Sequence, residues 1–510
     1  MKIKRIAIVG GGNAGWLAAN HLGVELSRDP DIDITLIESK DIPVIGVGEG
    51  TVPLIRNSLQ NFGISEVDLL LECDATFKTA IKFANWMSTE KYGKDNFYYH
   101  TFDAPFPGGY DVTQYWLGHK TEAYYSKLSA AYYVAEKNRS PKRPDSPPYK
   151  GLVNYAYHFD AAKFTTLLAG NAKKRFGVKH IYQTIKHVML HDDGNVKGFQ
   201  YDSGESEEFD FYIDCSGFSS LLFGKTLKVP FIDKSNIILT DTALALQVPI
   251  TSDEELFPYT KAVAHDAGWV WDIPLTTRRG TGFVYSSQHM SDDQAIKAFS
   301  TYHGKDLENS NARKIPMKAG YREKIWEKNC VTLGLANGFV EPLEATSLFI
   351  TDFCAGMIAK KIPLYKEEIP VFAKSCNEIA ALIWERIFDF IQLHYCISDR
   401  RDTQFWRDVT EHVERSALLK ERLELWKYAI PQRTDFASTF DFFHTESYLS
   451  VLYGMDYPTR APVVNDTVGN FSKQKIAEHL LNSRKLADSL MPQRKWLTEL
   501  KEYVAKHRPT

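Results

Sequence analysis

A glycine-rich junction near the N-terminus constrains the fold more than any other stretch of the chain. The segment RIAIVGGGNAGWLAANHL, from Arg5 to Leu22, joins a short apolar run to a helical pattern, and Gly10, Gly12 and Gly15 give the spacing GxGxxG. The first two glycines permit a tight turn and the close approach of a pyrophosphate, and the third permits close packing of helix on strand. The helix N-terminus offers free N–H groups to phosphates. The junction predicts a dinucleotide-binding βαβ unit.

Later strands indicate that the dinucleotide is FAD rather than NAD. The strand in DIDITLIES ends at Glu38, about 20 residues beyond the third glycine, where an acid holds the adenosine ribose hydroxyls. Strands in FDFYIDCSGFSSLL and NCVTLGLANGFVEPLE return to this fold far along the chain, which suits a large FAD module interrupted by insertions. No second GxGxxG follows a strand. We therefore expect an α/β, Rossmann-like FAD-binding fold without its own nicotinamide site, which receives its flavin already reduced.

Composition excludes several classes of protein. The 510 residues carry a net charge of -3, which argues against binding to nucleic acid or to a membrane surface. No apolar stretch approaches the roughly 18 to 20 residues needed to span a bilayer, and the N-terminal apolar run is too short for a signal peptide. The six cysteines show neither CxxC nor paired spacing, so no metal site and no disulfide framework is predicted. A cytoplasmic location fits best.

Two other stretches organise the rest of the chain. EKNRSPKRPDSPP, from Glu136 to Pro148, predicts an exposed loop. Beyond about residue 365, apolar residues recur at helical spacing, first in EEIPVFAKSCNEIAALIWERIFDFIQLHYC and then in HVERSALLKERLELWKYAI. We expect a module over 1–365, with an insertion at about 87–150, interleaved with a mainly helical module over 366–510.

A tryptophan pair raises a separate question. Trp269 and Trp271 in GWVWDIP fall on one side of a strand, because strand side chains alternate. Packing in the core is the ordinary explanation of such a pair.

Six segments, taken together and in order, resemble the flavin-dependent tryptophan halogenases, and the likeness extends through SDRRDTQFW at about residue 400. The segments are GGGNAGW, GVGEGTVP, FKTAIKFANW, NYAYHFDA, GWVWDIP and FVEPLEATS. The resemblance implies an enzyme in which FADH2, O2 and halide yield hypohalous acid beside the flavin. That oxidant then travels through a channel to an electron-rich aromatic substrate of the indole type. In this scheme Trp269 and Trp271 form the wall between flavin and substrate.

The resemblance also assigns two catalytic residues. Lys78, the first lysine of FKTAIKF, either hydrogen-bonds the hypohalous acid or becomes a haloamine, and either species delivers electrophilic halogen. Burial near an apolar pocket is expected to lower its pKa. Glu344 of EPLEATS polarises the oxidant or takes the ring proton. Lys82 and Glu341 are the neighbours that compete for these roles, and Glu341 is expected to be structural.

Other site residues follow from the same motifs. The halide lies against the backbone after Glu344, at Thr346 and Ser347, and Ser347 stands where the family has glycine, which leaves the choice among chloride, bromide and iodide open. The substrate ring lies among His100, Phe102 and Phe443. The FAD contacts implied are Gly10, Gly12, Asn13, Ala14, Gly15, Glu38, Gly48, Glu49, Ile185, Leu335 and Leu348.

One segment departs from the family. Tyrosines, a glutamate and an asparagine that grip the charged groups of tryptophan fall here near Pro431–Gln432, Ser438 and Ser447. We therefore expect free tryptophan to be a poor substrate, unless Asp435, Asp441 or Glu446 takes the place of the lost acid.

The alternatives are a flavin-dependent aromatic monooxygenase and a catalytically silent FAD-binding protein. The tryptophan pair and Lys78 argue against the monooxygenase, and the presence of both Lys78 and Glu344 argues against the silent protein. The expected partner is a separate NAD(P)H-dependent flavin reductase. The physiological substrate, the position halogenated and the presence of a homo-oligomer stay open.

Overall fold

The computed structural model describes residues 2–26, 29–41, 48–120, 125–304 and 312–507. The first two residues of the GVGEGTVP segment, Gly46 and Val47, lie outside the described residues.

A six-stranded sheet forms the nucleotide-binding unit that the glycine motif predicts. Its neighbouring strands pair in parallel, except for the antiparallel pair at one edge. In spatial order they are Trp326–Glu327, Cys330–Thr332, Phe211–Asp214, Arg5–Val9, Asp33–Glu38 and Lys179–Tyr182. The strand that leads into the glycine motif is central, and the two late strands follow one another on one side of it. The predicted α/β fold is confirmed.

A second, seven-stranded sheet carries the tryptophan pair. In spatial order its strands are Arg313–Pro316, Thr242–Pro249, Arg278–Tyr285, Gly268–Pro274, Tyr259–His265, Ala80–Ala84 and Phe97–Thr101. Only the pair of Tyr259–His265 with Ala80–Ala84 is parallel within this sheet. Every residue of Gly268–Pro274 is buried, because the strand is central and covered on both faces.

Three small sheets extend this framework. One joins the segment after Gly48 to the strand that ends at Lys78, through a strand between them. The sheets comprise Glu49–Gly50, Ala156–Phe159 and Thr76–Lys78; Ser206–Glu208, Val196–Tyr201 and Ile185–Leu190; and Phe231–Asp233, Gly320–Arg322 and Gly338–Phe339.

Helices cover both large sheets and dominate the last third of the chain, as the apolar spacing predicts. Within the described residues the α-helices are Asn13–Leu26, Ile55–Phe62, Glu66–Glu72, Thr89–Tyr92, Thr113–His119, Ala130–Glu136, Ala161–Phe176, Asp292–His303, Thr346–Ala359, Ile369–Cys396, Gln404–Arg407, Ala417–Trp426, Thr445–Gly454, Asp466–Ser489 and Gln493–His507. One apolar core runs from Ile3 to Leu497, across the expected boundary at residue 365. The division at that boundary therefore stays a prediction.

The expected exposed loop at 136–148 is partly wrong. Ser140, Pro141 and Lys142 are buried, and Lys142 Nζ lies 2.6 Å from Glu66 Oε2. The Glu66 carboxylate also accepts hydrogen bonds from Tyr155 and Tyr157. Lys142 is thus buried because it pairs with the buried carboxylate of Glu66. The composition of the loop does not reveal this partner.

In the parts of the chain that the structure describes, no helix is long and apolar enough to cross a bilayer. Within those residues, no group of three or more histidine, cysteine, aspartate or glutamate side chains is arranged so that it could hold a metal ion.

Candidate active site

The glycine motif has the geometry of a phosphate-binding turn. Gly10 has a φ of +115°, and a Cβ there would collide with the carbonyl oxygen of Cys215. A Cβ on Gly15 would collide with the carbonyl of Gly10, so the helix packs closely on the strand only without a side chain. Gly12 has open space on its Cβ side for at least 4 Å. The turn therefore leaves room for a pyrophosphate at Gly12, whereas Gly10 and Gly15 are packed tightly against neighbouring backbone.

A cavity of about 1030 Å³ begins at this turn and reaches Lys78. Ten of the eleven residues predicted to contact FAD line it, and Gly15 lies behind the turn. Those ten are Gly10, Gly12, Asn13, Ala14, Glu38, Gly48, Glu49, Ile185, Leu335 and Leu348. The Glu38 carboxylate accepts a hydrogen bond of 2.6 Å from His180 Nε2, which holds it at the end of its strand. The size of the cavity and the open glycine fit an extended dinucleotide such as FAD.

Lys78 ends a short buried strand at the far end of this cavity. Its Nζ is buried and makes no hydrogen bond to the described residues. Burial lowers the pKa of Lys78 to about 7, although the charge of Glu344 opposes that shift. The competing lysine, Lys82, instead points its ammonium to Glu136 at 2.8 Å. A neutral amine at neutral pH is therefore available at Lys78.

Glu344 lies in a single turn, Pro342–Glu344, between two histidines. His100 Nδ1 lies 2.9 Å from both carboxylate oxygens. His394 Nε2 lies 3.0 Å from Oε1, off the line of a good hydrogen bond, and its Nδ1 is 2.7 Å from the Tyr98 hydroxyl. Burial favours the neutral acid, but His100 and His394 outweigh it and lower the pKa of Glu344 to about 2. Glu344 is thus a buried carboxylate.

Glu341 differs from Glu344 in its partners. It is buried and accepts hydrogen bonds from the hydroxyls of Thr240 and Tyr395. Burial raises the pKa of Glu341. These contacts agree with the structural role expected for it.

The turn after Glu344 forms a cradle at a helix N-terminus. Ala345 has a φ of +56°, and the helix Thr346–Ala359 follows at once. The first amides of a helix have no partner within it and favour anions. The Thr346 hydroxyl is buried and has no hydrogen-bond partner among the described residues. Ser347 lines the cavity, with its hydroxyl 3.4 Å from the carbonyl of Val340.

Aromatic side chains gather around Lys78 and Glu344. Phe102 lies with its ring centroid 5.5 Å from Lys78 Nζ. Phe443 stacks on Phe390 at 3.9 Å and lies 6.3 Å from the His100 ring. His100 and Phe443 therefore come together although they lie far apart in the chain, and Phe102, two residues after His100, lies beside Lys78.

The tryptophan pair lies beside the same cavity. The two ring centroids are 6.4 Å apart. Trp271 lines the cavity, whereas Trp269 lies buried behind it. Gly282 on the next strand leaves space for Trp271, because a Cβ there would collide with the indole.

Comparison with known proteins places the chain in one family. The family model for tryptophan halogenase matches residues 5–469. Tryptophan 7-halogenase RebH from Lentzea aerocolonigenes is 33% identical over 489 residues, which are 90% of this chain and 91% of that protein. A tryptophan halogenase crystal structure from Shewanella frigidimarina NCIMB 400 has a TM-score of 0.94 at 34% identity, covering 98% of both chains. Tar14, a tryptophan C-6 flavin-dependent halogenase from taromycin biosynthesis, has a TM-score of 0.91 at 30% identity, covering 98% of this chain and 100% of its own.

The chain belongs to the tryptophan halogenase family. The resemblance drawn from its motifs is confirmed, and the protein is a flavin-dependent halogenase-type enzyme. At the level of the family, such enzymes act on tryptophan-type substrates, depend on FAD and halide, and take reduced flavin from a separate reductase.

Four residues of the candidate site are not predicted from the sequence. His394 and Phe390 lie in a helix whose apolar pattern predicts packing in the core, and both are buried. In addition, His394 lies beside Glu344, and Phe390 stacks on Phe443. His158 and Thr260 lie on buried strands near Lys78. A histidine in an otherwise apolar helix or strand is the one signal that points to His394 and His158.

Residues 431–447 form the segment in which the family's clamp on the amino-acid substrate is expected to be lost. Its acidic side chains are the candidates to replace that clamp, and two of them have partners within the protein. Asp435 accepts hydrogen bonds from Trp426 Nε1 and from the backbone of Gln432, both at 2.9 Å. Asp441 is buried, with Arg422 Nη2 at 3.3 Å. Glu446 is exposed. Two of the three candidate acids are thus committed to holding the segment itself.

Proposed function

We propose that this protein halogenates an uncharged, electron-rich aromatic molecule of the indole type, using FADH2, O2 and chloride or bromide, with Lys78 and Glu344 as its catalytic residues. The observation that carries the proposal is the buried Nζ of Lys78, which has no hydrogen-bond partner in the described parts of the chain and lies at the end of a cavity that fits FAD. Bound as FADH2, the cofactor supplies the oxidising chemistry that turns halide and O2 into hypohalous acid. Gly12 and the first amides after Gly12 would hold its pyrophosphate, and Glu38 its ribose.

Lys78 is suited to receive the oxidant because, with a pKa of about 7, a large fraction of its amine is neutral near pH 7. A neutral nitrogen has a lone pair for the halogen, whereas an ammonium does not. Its Nζ makes no hydrogen bond to any of the described residues, so its lone pair is free when the amine is neutral.

Glu344 is suited to take the proton that the ring loses when the halogen adds. A carboxylate with a low pKa is a weak base, but a ring that has lost its aromaticity is a very strong acid, so a weak base is sufficient. The negative charge also stabilises positive charge on the ring in a buried site. His100, hydrogen-bonded to the same carboxylate, holds it in place.

The halide would lie against the first amides of helix Thr346–Ala359, where the backbone attracts anions. The Ser347 side chain reshapes this cradle, and we expect bromide to be used at least as well as chloride.

The function is tested by mass spectrometry of an aromatic panel, supplied with FAD, a flavin reductase, NADH and each halide in turn. We expect indoles to gain one halogen, only when halide and reductase are both present. Products that gain oxygen would identify a monooxygenase. An unchanged panel with normal flavin binding would identify a silent flavoprotein.

The rate of halogenation should depend on the protonation of Lys78. Because its pKa lies at about 7, we expect the rate to fall about tenfold per pH unit below pH 7 and to level off above it. Product formation is measured across pH with flavin supply in excess. Glu49 lines the same cavity and burial raises its pKa to about 7, so Glu49→Gln is the control and should keep the rising limb. A flat profile in that variant would assign the titration to Glu49.

A further inference from the structure

A hydrogen-bonded chain of three side chains lies directly behind Lys78. Thr76 Oγ1 donates to the carbonyl of Pro274 at 2.7 Å and lies 3.2 Å from His158 Nδ1. His158 Nε2 lies 2.9 Å from Thr260 Oγ1. Thr76, His158 and Thr260 are all buried, and Thr260 lines the cavity that reaches Lys78.

The direction of each hydrogen bond in this chain follows from its fixed end. The Thr76 hydroxyl has one proton and gives it to Pro274, so toward His158 it can only accept. His158 Nδ1 therefore carries the ring proton. Burial, and next the charge of Lys78, hold the pKa of His158 well below its usual value, so the ring is neutral and Nε2 is an acceptor. The Thr260 hydroxyl must then donate to Nε2.

The consequence is that the lone pairs of Thr260 Oγ1 are left facing the cavity, next to Lys78. A Cβ built on Gly50 would lie 3.2 Å from Lys78 Nζ and 3.3 Å from Thr260 Oγ1. The small space at Gly50 is thus bordered on one side by an amine and on the other by an oxygen that can only accept. Within the described residues Lys78 Nζ makes no hydrogen bond, so Thr260 is not occupied by it.

We propose that Thr260 is a further catalytic residue, whose hydroxyl oxygen accepts the O–H of hypohalous acid and turns its halogen toward Lys78. The proposal rests on the proposed function. Hypohalous acid has one donor hydrogen and an electrophilic halogen on the same oxygen, so an acceptor beside the amine selects the reactive orientation. When the N–halogen bond forms, the oxygen–halogen bond breaks, and the amine proton joins the departing hydroxide to leave water. Without Thr260 the amine itself would accept the O–H, which is the unreactive orientation.

The test compares Thr260→Val, which keeps the shape, with Thr260→Ser, which keeps the hydroxyl. We expect Thr260→Val to lower halogenated product per FADH2 about tenfold, the effect of one lost hydrogen bond, and Thr260→Ser to stay within about twofold of wild type. A soluble enolisable diketone, which loses its absorbance on halogenation, should report more released hypohalous acid from Thr260→Val. The rate of flavin oxidation should not change.

Wild-type yield from Thr260→Val would overturn the proposal, and so would equal losses in both variants, which would identify a packing role. If Lys78→Met instead keeps full yield, the proposed function itself fails. If Lys78→Met is inactive while Thr260→Val is active, only the role of Thr260 fails.

A measurement on the unaltered chain keeps the proposal testable even if a variant does not fold. In protein labelled with 15N-histidine, the signal of His158 is assigned as the one that the His158→Gln variant lacks. In the unaltered protein that signal should show a protonated Nδ1 and an unprotonated Nε2 across neutral pH. A protonated Nε2 would remove the acceptor geometry on which Thr260 depends.

Discussion

Replacing Lys78 with methionine is expected to abolish halogenation while the protein becomes more stable. Methionine keeps most of the side-chain volume but removes the amine that would pass halogen to the substrate, since a thioether consumes the oxidant by becoming a sulfoxide. Loss of one positioned group of this kind lowers turnover by about 100-fold or more. Product formation is measured with saturating FADH2, and Lys78→Ala should give the same loss.

The stability change is the more unusual part of this prediction. A buried amine without a hydrogen-bond partner costs free energy, about 1 to 3 kcal/mol for an ordinary polar group, and methionine removes that cost. We therefore expect a higher melting temperature for Lys78→Met, as is common when a functional group is held in an unfavourable place.

Lys82→Met is the matched control, because Lys82 lies four residues away and has Glu136 as its partner. That variant should retain turnover and FAD binding. Full activity in Lys78→Met would refute the role of Lys78. Loss of activity together with loss of FAD binding would show only that the cavity had collapsed, and FAD titration separates the two results.

The fold was predictable from sequence where one local pattern has one structural solution. The glycine motif with its flanking strands specifies a parallel unit, and the structure has it: Phe211–Asp214 pairs with Arg5–Val9, and Cys330–Thr332 pairs with Phe211–Asp214. The helical pattern of residues 369–396 likewise became one long helix. Such patterns depend on neighbours in the chain, so the sequence contains all that is needed.

The site was predictable only where a motif records it. Lys78 and Glu344 stand in recognisable segments, but the partners of Glu344 come from a strand at His100 and a helix at His394. The fold brings those elements together across hundreds of residues, and no local spacing reports it. The same limit applies to Lys142, which a proline-rich, basic segment marks as exposed, although Glu66 draws it into the interior.

The polar contacts made by residues 431–447 predict a preference for indole over free tryptophan. The charged groups of tryptophan lose water when they enter an aromatic site, and without polar partners that desolvation costs several kcal/mol. Asp435 is held by Trp426 and Asp441 by Arg422, so neither is free to pair with an ammonium group. We expect kcat/KM for indole to exceed that for L-tryptophan on the order of 100-fold.

The comparison is made under identical flavin supply and halide, and Ser438 offers a direct test of its cause. Ser438 stands where the family's glutamate falls, so Ser438→Glu should raise kcat/KM for tryptophan relative to indole, whereas Ser438→Gln, of equal size and without charge, should not. If the unaltered enzyme prefers tryptophan, an acid already holds the ammonium group. Glu446 would then be the first candidate, because it is exposed whereas Asp435 and Asp441 have partners within the segment. Glu446→Gln would then be expected to lose that preference, and its retention would mean that the segment grips the substrate without a carboxylate.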